Sequence, residues 1–256
     1  MLHKMKLNSE PFEMINSGRK TIEFRLNDEK RRKVQVGDFI EFSHIEKPEL
    51  KIQVRVTALH RSDSFKKLFA ELPKEKCGLK SDEDVADDYM DNFYSRKEQE
   101  KNGALGIEFR KTELQKFIDA QVHGYDFGDT YETALSEMKK GMKISCWMWY
   151  VFPQIKGLGF SRTSAYFSIN DLTETIDYYE HPILGARLIE ITLEALKISN
   201  DDPVAVFGIP DAYKLRSCMT LFKRASNNDI FQKALDKFCQ GAEDEKTIEI
   251  LEKGTN

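Results

Sequence analysis

The run Phe12-Glu-Met-Ile-Asn-Ser-Gly-Arg-Lys-Thr-Ile-Glu-Phe-Arg-Leu26 changes period in its middle, and that change sets the reading of the first part of the chain. Phe12 and Ile15 belong to a short helix that Ser9 can cap, with Gly18 just past its end. From Lys20 onward Ile22, Phe24 and Leu26 alternate with polar residues, the pattern of a half-buried strand. Working outward, Gly37-Asp38 opens an apolar stretch from Phe39 to Phe42. Leu50, Ile52, Val54, Val56 and Ala58 alternate with Lys51, Gln53, Arg55 and Thr57 in the cleanest strand of the chain. Phe65, Leu68, Phe69 and Leu72 keep helical spacing up to Pro73. Six acidic residues lie between Asp82 and Asp91, and Leu105, Ile107 and Phe109 then mark a last strand. The expected first domain, residues 1–111, is a small barrel-like α+β unit.

At about Thr112 the period becomes helical. Leu114, Phe117, Ile118 and Gln121 begin one helix, and Tyr131, Ala134, Leu135 and Met138 mark a second that stops at Gly141. Further helices follow at Leu184–Ala195, Leu215–Phe222 and Phe231–Phe238, with Val204–Phe207 as the one buried strand expected in this half. The second expected domain, residues 112–256, is mainly α-helical.

The chain has 256 residues, 40% hydrophobic and 32% charged, enough to bury a core and unlike collagenous, low-complexity or disordered chains. No run of about 18 apolar residues occurs, so no membrane partner is expected. The polar stretch Met1–Glu10 carries no apolar signal core, which makes the cytoplasm the expected location. Cys77, Cys146, Cys218 and Cys239 are far apart, without CxxC pairs or histidines at ligand spacing, so neither a disulfide framework, a metal nor a cofactor is expected. Residues 1–80 carry 18 basic against 12 acidic residues, whereas the rest carries 21 against 31, so only the front end favours polyanions.

In the first domain the residues with chemistry are Lys20, Glu23, Arg25 and the cluster Lys30, Arg31, Arg32, Lys33. Thr21, Glu23 and Arg25 share a strand face, and Lys20 falls on the other unless a turn at Gly18–Lys20 re-aims it. Such a face reads a nucleobase edge or polarises a carbonyl; alternatively it is a solvated face with cross-strand ion pairs. Lys30–Lys33 is either a solvated loop or a phosphate track.

The second domain holds Cys146-Trp-Met-Trp-Tyr-Val-Phe-Pro-Gln154, a buried element by its apolar content, in which Trp147 or Trp149 could also wall a pocket. Gly157-Leu-Gly159 lacks the third glycine of a dinucleotide loop and reads as a turn, with Ser161 capping the next helix. Asp211 is an expected N-cap, and Lys214 and Ser217 lie one turn apart near that helix N-terminus, a possible anion site. His181 and Arg187 could meet in one cleft, or His181 could be an interhelix hydrogen-bonding residue.

Two resemblances follow from these motifs. Phe12–Leu26, Val36-Gly-Asp-Phe-Ile40 and Leu105-Gly-Ile-Glu-Phe109 resemble an ASCH domain over roughly residues 3–111, which implies a PUA-like pseudo-barrel and RNA binding. One branch of that family hydrolyses the acetyl amide of acetylcytidine with a lysine, a threonine and a glutamate. Its lysine matches Lys20, its threonine falls on Glu23, and Glu71 and Glu75 are candidates for its glutamate. The motifs from Trp147 to Gln154, His181-Pro-Ile-Leu-Gly-Ala-Arg-Leu188, Phe207–Asp211, Lys214–Phe222 and Gly241–Asp244 resemble the domain-of-unknown-function family 1810, over roughly residues 114–253. That family usually has histidine where this chain has Cys146.

The resulting expectation is an α+β chain, an N-terminal PUA-like β-barrel domain followed by a mainly helical one. Its partner is RNA or a nucleoside or nucleotide, read by Lys20, Glu23, Arg25 and Lys30–Lys33. The helical domain adds an anionic-ligand pocket formed by Trp147, Trp149, His181, Arg187, Asp211, Lys214, Ser217 and Thr220. The alternatives are an amidohydrolase acting on acetylated cytidine through Lys20 and Glu23, and a protein–protein module built on the aromatic run.

Overall fold

In the computed structural model, which describes residues 1–82 and 85–254, the chain divides into two units, Met1–Glu113 and Leu114–Asn256. Glu83 and Asp84 of the acidic stretch, and the last two residues, lie outside the described residues.

The first unit runs β1 (Leu2–Leu7), α1 (Ser9–Asn16), β2 (Ile22–Leu26), β3 (Phe39–His44), β4 (Lys51–Ser62), α2 (Phe65–Glu71), α3 (Arg96–Asn102) and β5 (Ala104–Thr112). The strands form one curled sheet in the order β1-β3-β4-β5-β2, parallel between β1 and β3 and antiparallel elsewhere. A register shift between Val56 and Ala58 bends the long strand β4 and lets the sheet curl into a half-barrel. Ile40, Phe42, Ile52, Val54, Val56, Leu105, Ile107 and Phe109 fill its concave side together with Phe12 and Ile15 of α1. Ile22, Phe24 and Leu26 point the other way, into a second cluster with Phe65, Leu68, Cys77 and Met90. Strand β2 is therefore covered on both faces, where its alternation predicts a half-buried strand. Ser9 is not the cap of α1: the extended residue is Asn8, and the helix already begins at Ser9.

The second unit consists of α4 (Gln115–His123), α5 (Tyr131–Lys140), α6 (Met148–Val151), α7 (Arg162–Tyr166), α8 (Leu172–Glu180), α9 (Leu184–Lys197), α10 (Pro203–Phe207), α11 (Asp211–Ala225), α12 (Ile230–Cys239) and α13 (Glu245–Lys253). Helix α11 packs on α8 and α12, and α9 packs on α5, α8 and α12, around Trp147, Tyr178, Phe222 and Phe231. The strand expected at Val204–Phe207 is the short helix α10. Asp202 accepts the Val204 amide at 2.9 Å and Pro203 occupies the first turn, a helix start that outweighs four apolar residues in a row. Among the described residues no helix is long and apolar enough to cross a membrane.

Phe42 is fully buried, with its ring 5.5 Å from that of Phe109. Truncating it leaves a cavity in the concave core. Phe42→Ala is expected to lower the stability of this unit by about 3–5 kcal/mol, read as an earlier urea midpoint in far-UV circular dichroism.

Candidate functional site

Strands β1 and β2 are the two edges of the half-barrel and do not pair with each other. Glu23 stands opposite Ile107 and Arg25 opposite Leu105, so both side chains lie on the concave face at a free edge. There the Glu23 carboxylate is buried, 6% exposed, between two cations. Lys20 Nζ is 2.8 Å from Oε2 and Arg25 Nη2 is 3.1 Å from Oε1. The same Nη2 donates to the Lys6 carbonyl of β1 at 2.9 Å, so a side chain spans the gap that backbone pairing leaves open. Burial pulls the Arg25 guanidinium down, but Glu23 and the neighbouring Tyr94 hydroxyl hold it above its ordinary value.

Lys20 lies just before β2, its amide bonded to the Met14 carbonyl at 3.1 Å, and this turn brings it to Glu23. Gly78, at φ 80°, passes against its stem: a β-carbon there would sit 3.4 Å from Lys20 Cβ and 2.9 Å from Met14 Sδ.

A cavity of about 690 Å³ occupies this region. Lys20, Glu23 and Arg25 line it, with Lys6, Arg19 and Lys80 as further cations and Glu75 among its carboxylates. One side is aromatic. Phe24 and Phe69 lie 4.4 Å apart, Tyr89 meets Phe69 edge-on at 6.0 Å, and Phe93 is 5.9 Å from Tyr89. Tyr89 and Phe93 are 43% and 53% exposed, leaving ring area open to a ligand. Cys77 also lines the cavity, but burial pushes its thiol up to about 11 despite Lys20, which leaves it protonated at neutral pH.

The aromatic wall was not anticipated, because acidic residues dominate the composition of its segment. Its signal was the recurrence of Tyr89, Phe93 and Tyr94. Two of the acids are engaged elsewhere: Asp87 pairs with Lys66 and Asp91 with Arg96, both at 2.7 Å. Of the expected cluster, Arg31 pairs with Asp28 and Arg32 donates to the Asn27 carbonyl at 2.7 Å. None of Lys30, Arg31, Arg32 and Lys33 lines the cavity, and neither does Glu71.

In the helical unit the eight singled-out residues separate into distinct groups. Trp147 is wholly buried and donates its indole N–H to Glu137 at 2.7 Å, which removes it from any ligand or protein interface. Burial would lift the Glu137 carboxyl, but N–H groups from Ile144, Trp147 and Ser145 hold it below the usual carboxylate range. Trp149 is half-buried under Lys214, whose Nζ stands 4.4 Å from its ring centroid. Asp211 does not cap α11; Pro210 holds that position, and the Asp211 carboxylate is shared by Lys143 at 2.7 Å and Lys214 at 2.6 Å. Ser217 and Thr220 turn away from Lys214's partner toward Asp244, the N-cap of α13. Ser217 donates to its carboxylate at 3.1 Å, and Thr220 accepts its amide at 2.9 Å. Arg187 donates to Gln121 at 3.2 Å and stacks over Tyr131. His181 accepts the amides of Ile183 and Leu184 at the start of α9.

Two family profiles match the chain: the ASCH domain over residues 5–113, and the protein of unknown function DUF1810 over residues 111–251. Among solved structures, the conserved hypothetical protein Rv1873 from Mycobacterium tuberculosis is 37% identical with a TM-score of 0.52, covering 55% of this chain and 96% of that one. The hypothetical protein PH0355 is 34% identical with a TM-score of 0.37, and protein PF0455 from Pyrococcus furiosus is 30% identical with a TM-score of 0.34. Each covers 43% of this chain, and the matches span 99% and 97% of those chains. No curated protein matches the chain.

Burial holds the His181 imidazole down at about 4. The folded state therefore keeps it neutral while the unfolded chain, near 6.5, takes up a proton, so stability is lost as pH falls from 6.5 toward 4. Between pH 7 and 5 that loss is expected to be about 2 kcal/mol, read from urea midpoints by tryptophan fluorescence. His181→Asn, which keeps an acceptor for the two amides, is expected to flatten the slope.

Proposed function

The chain belongs to the DUF1810 family and carries an ASCH domain ahead of that region, and from this premise we propose that the edge cavity of the first unit binds an unpaired base of RNA or a modified nucleoside. The ASCH domain is a PUA-like fold associated with RNA binding. The observation that carries the proposal is the joint lining of one cavity by the Lys20–Glu23–Arg25 group and an open aromatic wall. Charged groups in fixed positions read hydrogen-bonding edges, and aromatic faces stack bases, which is how single-stranded RNA is recognised. Lys6, Arg19 and Lys80 supply the cations that a flanking backbone needs. The anionic-ligand pocket expected in the helical unit forms no part of this reading, since its residues are committed to separate groups of intramolecular bonds.

Binding of a labelled single-stranded RNA, followed by anisotropy, is expected to weaken with salt. Three phosphate contacts correspond to a log–log slope of about −2. Lys20→Ala is expected to cost roughly tenfold in affinity, because it also strips a partner from a buried carboxylate. Absent or salt-insensitive binding contradicts the proposal.

A second reading, hydrolysis of the acetyl amide of acetylcytidine, is supported by the presence of Glu75 in the same cavity as Lys20. Water would add to the amide carbonyl, with release of acetate and the free amine. Chromatography of acetylcytidine incubated with the protein and with Lys20→Ala tests it; cytidine formed by the unmodified protein alone supports it, and cytidine from neither removes it.

A further inference from the structure

The floor of the cavity has an order. Lys20 Nζ stands by Glu23 Oε2, and Arg25 Nη2 by Glu23 Oε1, so the three side chains form a row: cationic donor, anionic acceptor, cationic donor. Two atoms in that row are buried and lack an aligned hydrogen-bond partner, Glu23 Oε2 and Arg25 Nε. Lys20 approaches Oε2 closely as an ion pair, without the alignment of a hydrogen bond. Both atoms are closed to solvent, so a ligand meets the row through the part of these side chains that remains open, 13% for Lys20, 7% for Glu23 and 16% for Arg25. The favoured ligand therefore supplies an N–H to the carboxylate and acceptors to the cations beside it.

Base edges differ in how they meet such a row. A uracil-type base presents carbonyl, N3–H, carbonyl, which is acceptor, donor, acceptor. Cytosine presents amino group, N3 lone pair and carbonyl, and so sets a lone pair against the carboxylate. Guanine presents carbonyl, N–H and amino group, and turns its amino donors toward the second cation. Resting on the base-binding reading above, we propose that the cavity selects uracil-type bases. N3–H donates to Glu23, the two carbonyls accept from Lys20 and Arg25, and the ring lies against the wall of Tyr89 and Phe93. A site built to receive an N–H rejects an analogue that lacks it, because its own polar group is then left unpaired.

Binding of three single-stranded RNA dodecamers to the full chain tests this: oligouridine, oligocytidine, and oligouridine methylated at N3, which keeps both carbonyls and the ring but has no N–H. Oligouridine is expected to bind at least tenfold more tightly than either of the others. In Glu23→Gln, whose amide offers both an acceptor and a donor, the preference is expected to move toward oligocytidine. Equal binding of methylated and unmethylated oligouridine, or tighter binding of oligocytidine to the unmodified protein, overturns uracil selection and leaves the base-binding reading standing. Binding of none of the three overturns both.

Discussion

A carboxylate that would be costly to bury alone organises the first unit. Glu23 is held on an edge strand with a lysine on one oxygen and an arginine on the other, and the arginine reaches across to the opposite edge. Desolvating such groups costs several kcal/mol per ion, and only close pairing with hydrogen bonds offsets it. The three side chains are therefore locked together: removing one leaves a buried charge uncompensated. The group also ties the position of β2 to that of β1. A pre-ordered row of charges at the seam of the half-barrel is thus both a fastening and a surface that a ligand can read.

The helical unit uses its polar residues differently. Several of its helices span only four or five residues, as α6, α7 and α10 do. Every helix leaves amides at its start and carbonyls at its end unsatisfied, so short helices expose more such groups per residue. The same need arises at the longer helices α9 and α13 and in the turn before α6, and there the polar motif residues meet it. Glu137 gathers the Ile144 and Ser145 amides with the Trp147 indole, His181 takes two amides ahead of α9, and Thr220 and Ser217 hold Asp244 where it caps α13. Part of the polar content of these motifs thus serves helix starts and a turn rather than helix packing.

Local patterns were legible in the sequence wherever one face decided the structure. The alternation at Ile22, Phe24 and Leu26 marks β2, and the spacing of Leu184, Leu188, Ile191 and Ala195 marks α9, as observed. Burial of Glu23 was not legible, because it depends on the sheet curling back over the face that alternation assigns to water. The placement of Lys20 beside Glu23 was open for a related reason: it turns on the path between Gly18 and β2, which periodicity does not describe. Val204–Phe207 was misread because four apolar residues carry no period, and the Asp202-Pro203 start signal beside them was the better guide. The aromatic wall is not legible because Tyr89 and Phe93 follow no strand alternation in a segment rich in charge, and they meet Phe24 and Phe69 only through the fold.

The open seam ties these threads together. Free sheet edges present unpaired backbone groups and invite unwanted pairing, so proteins usually close or cover them. Here full closure by backbone hydrogen bonds between β1 and β2 would bring the edges about 4.8 Å apart and leave no room for the cavity between them. A single arginine bridging to the Lys6 carbonyl holds the edges in relation while keeping that space. The residues that line it come from β1, α1, the turn before β2, β2 itself, the residue after β3, α2 and the segment after α2. The charged row is announced by the continuous run Lys20–Arg25, but the aromatic wall comes from other elements and no one motif holds both. The chemistry of the site arises where the sheet stops short of becoming a barrel.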